Sequence, residues 1–113
     1  MEDFNVKKFN FVAELLAHGF HDDTKPEEVG LSRQAGFEGM VLSRDFTKVI
    51  ESVWSGHHEY SYRVEVFVNL TQNLCRAKFF EGGVEYKCKW YYTAGKRTYN
   101  AIAATLQNAG LEI

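Results

Sequence analysis

The sequence predicts an α+β fold: an antiparallel β-sheet of three to five strands, with an N-terminal helix and a C-terminal helix covering one face. Three observations carry this prediction. Tyr60, Tyr62, Val64, Val66, Val68 and Leu70 alternate with Ser61, Arg63, Glu65, Phe67 and Asn69, the period of a half-buried strand over 60–70. Residues 74–92 hold two strand-like runs on either side of Gly82-Gly83, the pattern of a β-hairpin. Near each end of the chain, apolar residues at helical spacing run into a glycine, Gly19 and Gly110, as at a helix stop. A length of 113 residues fits one domain over 1–113, large enough to bury a core without disulfides or a metal.

The first element is a helix over 6–18, in which Phe9, Val12, Ala13 and Leu16 recur at helical spacing. Gly19 can take the left-handed conformation that ends it, and Phe20 can fold back onto Leu15. Residues 21–36 read as a loop around Pro26, Gly30 and Gly36. That is long for a compact domain, so it hides a short helical turn or lies at a functional edge. Met40, Val41 and Leu42 suggest a short strand over 37–43. Over 45–54, Phe46, Val49, Ile50, Val53 and Trp54 fit a helical stripe, and the segment is read as a helix. The alternative is a strand pairing back through Ser55-Gly56-His57-His58, because Thr47, Val49, Ile50, Val53 and Trp54 also favour strands.

With Gly82-Gly83 as a two-residue loop, the hairpin sets Ala77 opposite Cys88 and Phe79 opposite Tyr86. One face then holds Cys75, Ala77, Phe79, Tyr86, Cys88, Trp90 and Tyr92. The other holds Arg76, Lys78, Phe80, Glu85, Lys87, Lys89 and Tyr91. A closing helix over 97–109 carries the stripe Tyr99, Ile102, Ala103 and Leu106. Gly110 and Leu111 repeat the ending at Gly19 and Phe20, with Leu111 placed to touch Leu106.

Composition narrows the function. Hydrophobic residues make up 45% and charged residues 25%, which argues against disorder. Aromatics make up 15% and suit both sheets and binding surfaces. No apolar run approaches the roughly 20 residues of a membrane span. Met1-Glu2-Asp3-Phe4 is acidic and polar, unlike a secretory signal, so a cytoplasmic location is expected. Cys75 and Cys88 are too few for a disulfide scaffold. They are expected to be reduced and buried on the apolar hairpin face. The net charge of −2 hides an asymmetry. Residues 1–59 hold 11 acidic and 6 basic side chains, residues 60–113 hold 4 and 7, so a local basic patch is compatible with an acidic chain.

The most distinctive surface is the basic hairpin face. Arg76, Lys78, Lys87 and Lys89 are expected on one side of adjacent strands, where like charges repel. An acidic partner would relieve that repulsion, and Phe80 and Tyr91 among them can stack or anchor. The plainer reading is a solvated face whose lysines blunt an edge strand. Thr93-Ala94-Gly95-Lys96-Arg97-Thr98 joins a strand to a helix. An anion there would satisfy free N–H groups and the cations Lys96 and Arg97; the plainer reading is an exposed turn. It is not a nucleotide-binding P-loop, since Trp90 stands at the first glycine and Arg97 at the Ser/Thr position.

Other motifs are weaker. Glu85-Tyr86-Lys87 matches the Glu-x-Lys of some metal nucleases, but no aspartate follows Asp45 to complete the site. His18, His21, Asp22 and Asp23 are close in sequence, yet His18 and His21 straddle the helix end and lack a third distant ligand. No metal or cofactor is expected. No acid, base and orienting group can be placed together, which leans away from an enzyme.

Residues 44–113, with 45–54 helical, read helix–strand–strand–strand–helix. That order resembles the double-stranded-RNA-binding domain. Gly82-Gly83-Val84-Glu85-Tyr86 looks like that family's second hairpin turn, and Lys96-Arg97 before Ala101, Ala103 and Ala104 is similar to its lysine pair opening an alanine-rich helix. The resemblance implies phosphate contacts by Lys96 and Arg97. Tyr99, Ile102 and Thr105 depart from the alanine pattern, and Trp90-Tyr91-Tyr92 stands where the family is small and glycine-rich.

The leading expectation is a small non-catalytic protein that occupies the surface of a protein partner with acidic character. In size and composition it is similar to phage or mobile-element inhibitors. The alternative is a nucleic-acid binder using the basic sheet face.

Overall fold

Val64, Val66 and Val68 show why the chain forms a sheet. Each is essentially without solvent exposure, and burying such a side chain is worth about 1.5–3 kcal/mol. A strand is the conformation that sends all three to one side. The computed structural model describes residues 9–24, 39–54, 56–69 and 73–112. In it, α1 (Phe11–Ala17) is followed by β1 (His21–Asp22), β2 (Met40–Ser52), β3 (Gly56–Asn69), β4 (Leu74–Glu81), β5 (Val84–Tyr91) and α2 (Lys96–Asn108). The strands form one sheet in the order β1-β2-β3-β4-β5, and every neighbouring pair is antiparallel. The α+β class, the antiparallel sheet and both terminal helices agree with the sequence reading.

The core lies between one face of the sheet and the two helices. Leu42, Phe46, the three β3 valines, Cys75, Ala77 and Phe79 meet Phe11, Leu15 and Phe20 from the α1 region and Tyr99, Ile102, Leu106 and Leu111 from the α2 region. Phe9 and His18 also pack their rings against Tyr99, each at 5.8 Å between centroids. Among the described residues no helix is long and apolar enough to cross a membrane.

Several boundaries differ from the sequence reading. The first helix begins at Phe11, because Asn10 is extended and its side chain accepts a hydrogen bond from the Ala13 N–H at 3.0 Å, an N-cap. Residues 6–8 of the expected helix lie outside the described residues. His21–Asp22 pairs with β2 and is not loop, while 25–38 lies outside the described residues, as does Leu70. The largest correction concerns 45–54. It is strand, not helix, through Ser52, and runs on from Met40 in a continuous ladder with β3 as far as Ser52↔Gly56. The helix–strand–strand–strand–helix order is therefore absent, and with it the topology on which the RNA-binding resemblance stood.

The hairpin at Gly82-Gly83 is as expected, with φ of 60° and 84°, the sign a tight two-residue hairpin turn needs at both positions. Its register is not. Phe80↔Glu85 and Glu81↔Val84 follow the expected pairing, but beyond a bulge the partners become Phe79↔Lys87, Ala77↔Lys89 and Arg76↔Trp90. Tyr86 is the extra residue. One inserted residue exchanges the faces of everything after it. Cys75 remains in the core with no exposure, and burial pushes its thiol up to about 12. Cys88 instead lies opposite Lys78 and is exposed, contrary to the expected pair of buried cysteines.

Candidate interaction surface

The bulge divides the expected basic face. Arg76, Lys78 and Phe80 alternate with the buried Cys75, Ala77 and Phe79, so they point away from the helices. Lys87 and Lys89 lie in register with Phe79 and Ala77, so they share the helix side. Tyr91 joins them there, packed against the core, with the Lys89 ammonium 5.4 Å from its ring centre. The four cations are thus a pair on each side of the sheet. Lys96 and Arg97 are exposed in the first turn of α2, and its N-cap residue Gly95 offers no side-chain cap.

The open face answers its own charges. Arg63 on β3 donates to Asp45 on β2 at 3.0 Å, to Glu65 at 3.0 Å and to Asp23. Burial opposes the charge on Arg63, but its bonds to Glu65 and Asp45 and their negative charge outweigh this and raise its pKa. Lys78 reaches Glu85 at 3.7 Å and faces Glu65 across the ladder. The Arg76 guanidinium lies 5.4 Å from the Phe67 ring and 5.5 Å from the Trp90 ring, a cation between two π faces. The repulsion expected among these side chains is not present, and Glu85 of the nuclease-like triplet is engaged with Lys78. The histidine–aspartate group is similarly dispersed. His18 bonds Glu14 at 3.0 Å, His21 bonds Ser43 at 3.4 Å, and bonds from Thr24 hold the Asp22 carboxyl below its ordinary range.

A different feature stands out from the sheet. β4 ends at Glu81 opposite Tyr62, so residues 56–61 of β3 have no β4 neighbour. On the other side, β1 reaches no further along β2 than His21↔Ser43. The paired segments 47–52 and 56–61 therefore leave the sheet as a two-stranded arm. At about 3.3 Å per residue it projects roughly 20 Å. Val53 and Trp54 close its tip and are 98% and 96% exposed. Val49, Ile50 and Tyr60 along it are also exposed. Scattered surface apolar residues are ordinary. Five stand on one narrow arm, Val49 on one face, Ile50 and Tyr60 on the other, and Val53 and Trp54 at its apex.

Where the arm leaves the sheet, its root and the β4–β5 turn enclose a cleft of about 510 Å³, lined by Glu59, Tyr60, Glu81, Val84 and Tyr86 among others. The Gly82 N–H donates to the Ser61 carbonyl at 2.8 Å and fixes the turn against β3. Tyr62 donates to Glu81 at 3.5 Å. Burial and then the Glu81 charge raise the Tyr62 and Tyr86 hydroxyls. A second cleft of about 460 Å³ continues past Glu81 and Tyr86 to Lys48, Lys87 and the end of α2 at Asn108 and Ala109.

Sequence reasoning singled out none of the arm residues as a site. The usable signal was two large apolar residues beside Ser55-Gly56, which a tertiary fold has no use for in a turn. Among the described residues no three His, Cys, Asp or Glu side chains are grouped to hold a metal. No protein-family model matches the chain, and neither a curated protein nor a solved structure is significantly similar to it.

Proposed function

We propose that the chain is a small binding protein that occupies the surface of a protein partner, with the β2–β3 arm as its contact. One observation carries this reading: Val53 and Trp54, almost wholly exposed, at the apex of an arm that contributes nothing to the buried core. Tryptophan is among the residues most enriched at energetic centres of interfaces, where it is buried in a pocket of the partner. An extended arm carries such a residue beyond its own sheet, where it can enter a pocket that a flat sheet face cannot reach.

The test is affinity capture from the native host with the full chain. A Trp54→Ala chain of unchanged melting temperature is expected to retain the captured protein about tenfold less well, or worse. The Lys78→Glu/Lys87→Glu chain is the comparison. If that variant loses the protein and Trp54→Ala keeps it, the cations and not the arm form the contact.

A second reading rests on Lys87 and Lys89 on β5 with Lys96 and Arg97 at the start of α2. Among the described residues none of these four is in an ion pair, in contrast to Lys78. Of the four, Lys96 and Arg97 stand at an uncapped helix start, a setting that suits a phosphate backbone. Salt-dependent binding to duplex RNA or DNA, lost in Lys96→Glu/Arg97→Glu, would favour it over the arm.

A further inference from the structure

β5 ends the sheet on one side, and among the described residues no strand pairs with its outer edge. It is exposed along nearly its whole length. Such an edge presents a row of backbone N–H and C=O groups able to pair with another strand. The bulge at Tyr86 lies close to the turn, so from Lys87 to Tyr91 the ladder with β4 is regular, Phe79↔Lys87 to Cys75↔Tyr91. That free stretch is roughly 17 Å long, and its side chains are sorted by face. Lys87 and Lys89 stand two residues apart on the helix side, and among the described residues neither is in an ion pair. The ring of Tyr91 beside Lys89 keeps that ammonium on this side. Cys88 and Trp90 stand on the open side, Cys88 exposed and Trp90 about half exposed.

Lysines on an edge ordinarily keep strands from pairing, and here they select among occupants. A second copy of β5, antiparallel and centred on Cys88, would set Lys87 against Lys89 twice; centred on Lys87, it would set that lysine against itself. A neutral apolar strand would draw both cations out of water and leave them unpaired. A strand with two acidic side chains separated by one residue puts a carboxylate opposite each lysine. The residue between them then falls on the open side opposite Cys88, and the next lies opposite Trp90, so apolar side chains suit both. We propose that the outer edge of β5 takes up an extended segment of a partner protein by strand addition. The added strand is antiparallel, the more stable pairing per residue. From Trp90 to Lys87 it reads apolar, acidic, apolar, acidic. This proposal does not rest on the arm reading, since β4 separates β5 from the strands of the arm.

The experiment titrates the isotope-labelled full chain with end-blocked Val-Glu-Val-Glu-Val, up to millimolar concentration, and follows backbone amide resonances and hydrogen exchange. The amides of 87–91 are expected to shift saturably. Alternate ones among them should exchange about tenfold more slowly, because only every second N–H of an edge strand points outward. Val-Lys-Val-Lys-Val, and the acidic peptide with all its amides N-methylated, should leave them unmoved. Lys87→Glu/Lys89→Glu should bind the acidic peptide about tenfold less well and gain binding to Val-Lys-Val-Lys-Val, a reversal that an unfolded variant cannot give. No saturable shift from the acidic peptide, equal binding of its N-methylated form, or an unchanged preference in the double variant would overturn the proposal. Concentration-dependent shifts of the same amides in the chain alone, with a dimer in sedimentation, would give the edge to a second copy and overturn it as well. Trp54→Ala should bind the acidic peptide normally. Loss of partner capture therefore reports on the arm, and loss of peptide binding on the edge.

Discussion

Two glycines and two cations on β2 show how single side chains join the helices to the sheet. Gly19 and Gly110 have φ of 89° and 82°. The bonds Gly19→Leu16 and Phe20→Leu15 recur as Gly110→Gln107 and Leu111→Leu106, so both helices end in a Schellman motif. Each end has a free carbonyl that β2 answers. Arg44 donates to the His18 carbonyl at 2.6 Å, and Lys48 to the Ala109 carbonyl at 2.9 Å. Four residues apart on one strand, the two cations share the helix side and meet the negative ends of two helices. The glycines were legible from the apolar stripes before them; the cations were not, because their partners are 26 and 61 residues away. A β-carbon on Gly110 would stand 2.6 Å from the Lys48 ammonium. Gly110→Ala is therefore expected to cost about 1–2 kcal/mol in urea unfolding, from positive φ and from the displaced lysine. Lys48→Met should cost about 1 kcal/mol. The double variant should cost less than the sum, since the alanine methyl already dislodges Lys48. Full additivity would mean that Lys48 does not bridge β2 to α2.

At the scale of the element, what the sequence made legible depended on whether a strand has an inside and an outside. β3 between Tyr62 and Asn69 is buried on one face, so its valines alternate and its register can be read. The arm is exposed on both faces, so no period of two is imposed on it. Phe46, Val49, Ile50, Val53 and Trp54 then imitate a helical stripe although only Phe46 is buried. β5 is exposed along nearly its whole length. Its regular alternation of apolar and charged residues concealed the bulge, and that concealment led to the single basic face. The bulge gives a direct test. Phe79↔Lys87 and Phe80↔Glu85 enclose Tyr86 alone, so deleting Tyr86 restores an unbroken ladder without changing any other face. Such a chain should still unfold cooperatively, weakened by about 1–2 kcal/mol through loss of the ring contact with Phe79 at 6.4 Å. Deleting Lys78 from the unbulged β4 should instead turn Cys75 and Ala77 outward and abolish the cooperative transition. Equal damage from the two deletions, measured by circular dichroism on heating, would show that Tyr86 is not the inserted residue.

Across the whole molecule, the division is between a sheet that is covered by helices and an arm that is not. Every buried apolar residue of β2 and β3 lies at or before Phe46 or at or after Val64. The arm beyond these positions is held by its own ladder, by the hydrogen bond from Gly82 to Ser61, and by Lys48 beneath α2. An isolated two-stranded ribbon is marginal in water, so the arm is expected to open independently of the core, with its amides exchanging faster than those of 62–69. Removing it should therefore cost little. In a chain where residues 49–59 are replaced by Asn-Gly, the ladder partners Lys48 and Tyr60 flank a new tight turn. No buried core residue is deleted and the Lys48 bond to Ala109 is kept. The melting temperature should move by less than about 4 °C, equivalent to under about 1 kcal/mol for a domain of this size. The same chain should lose partner capture entirely, because Trp54 and Val53 are gone. A fall of about 10 °C or more would show that the arm supports the core, and its exposed apex would then need no partner to account for it.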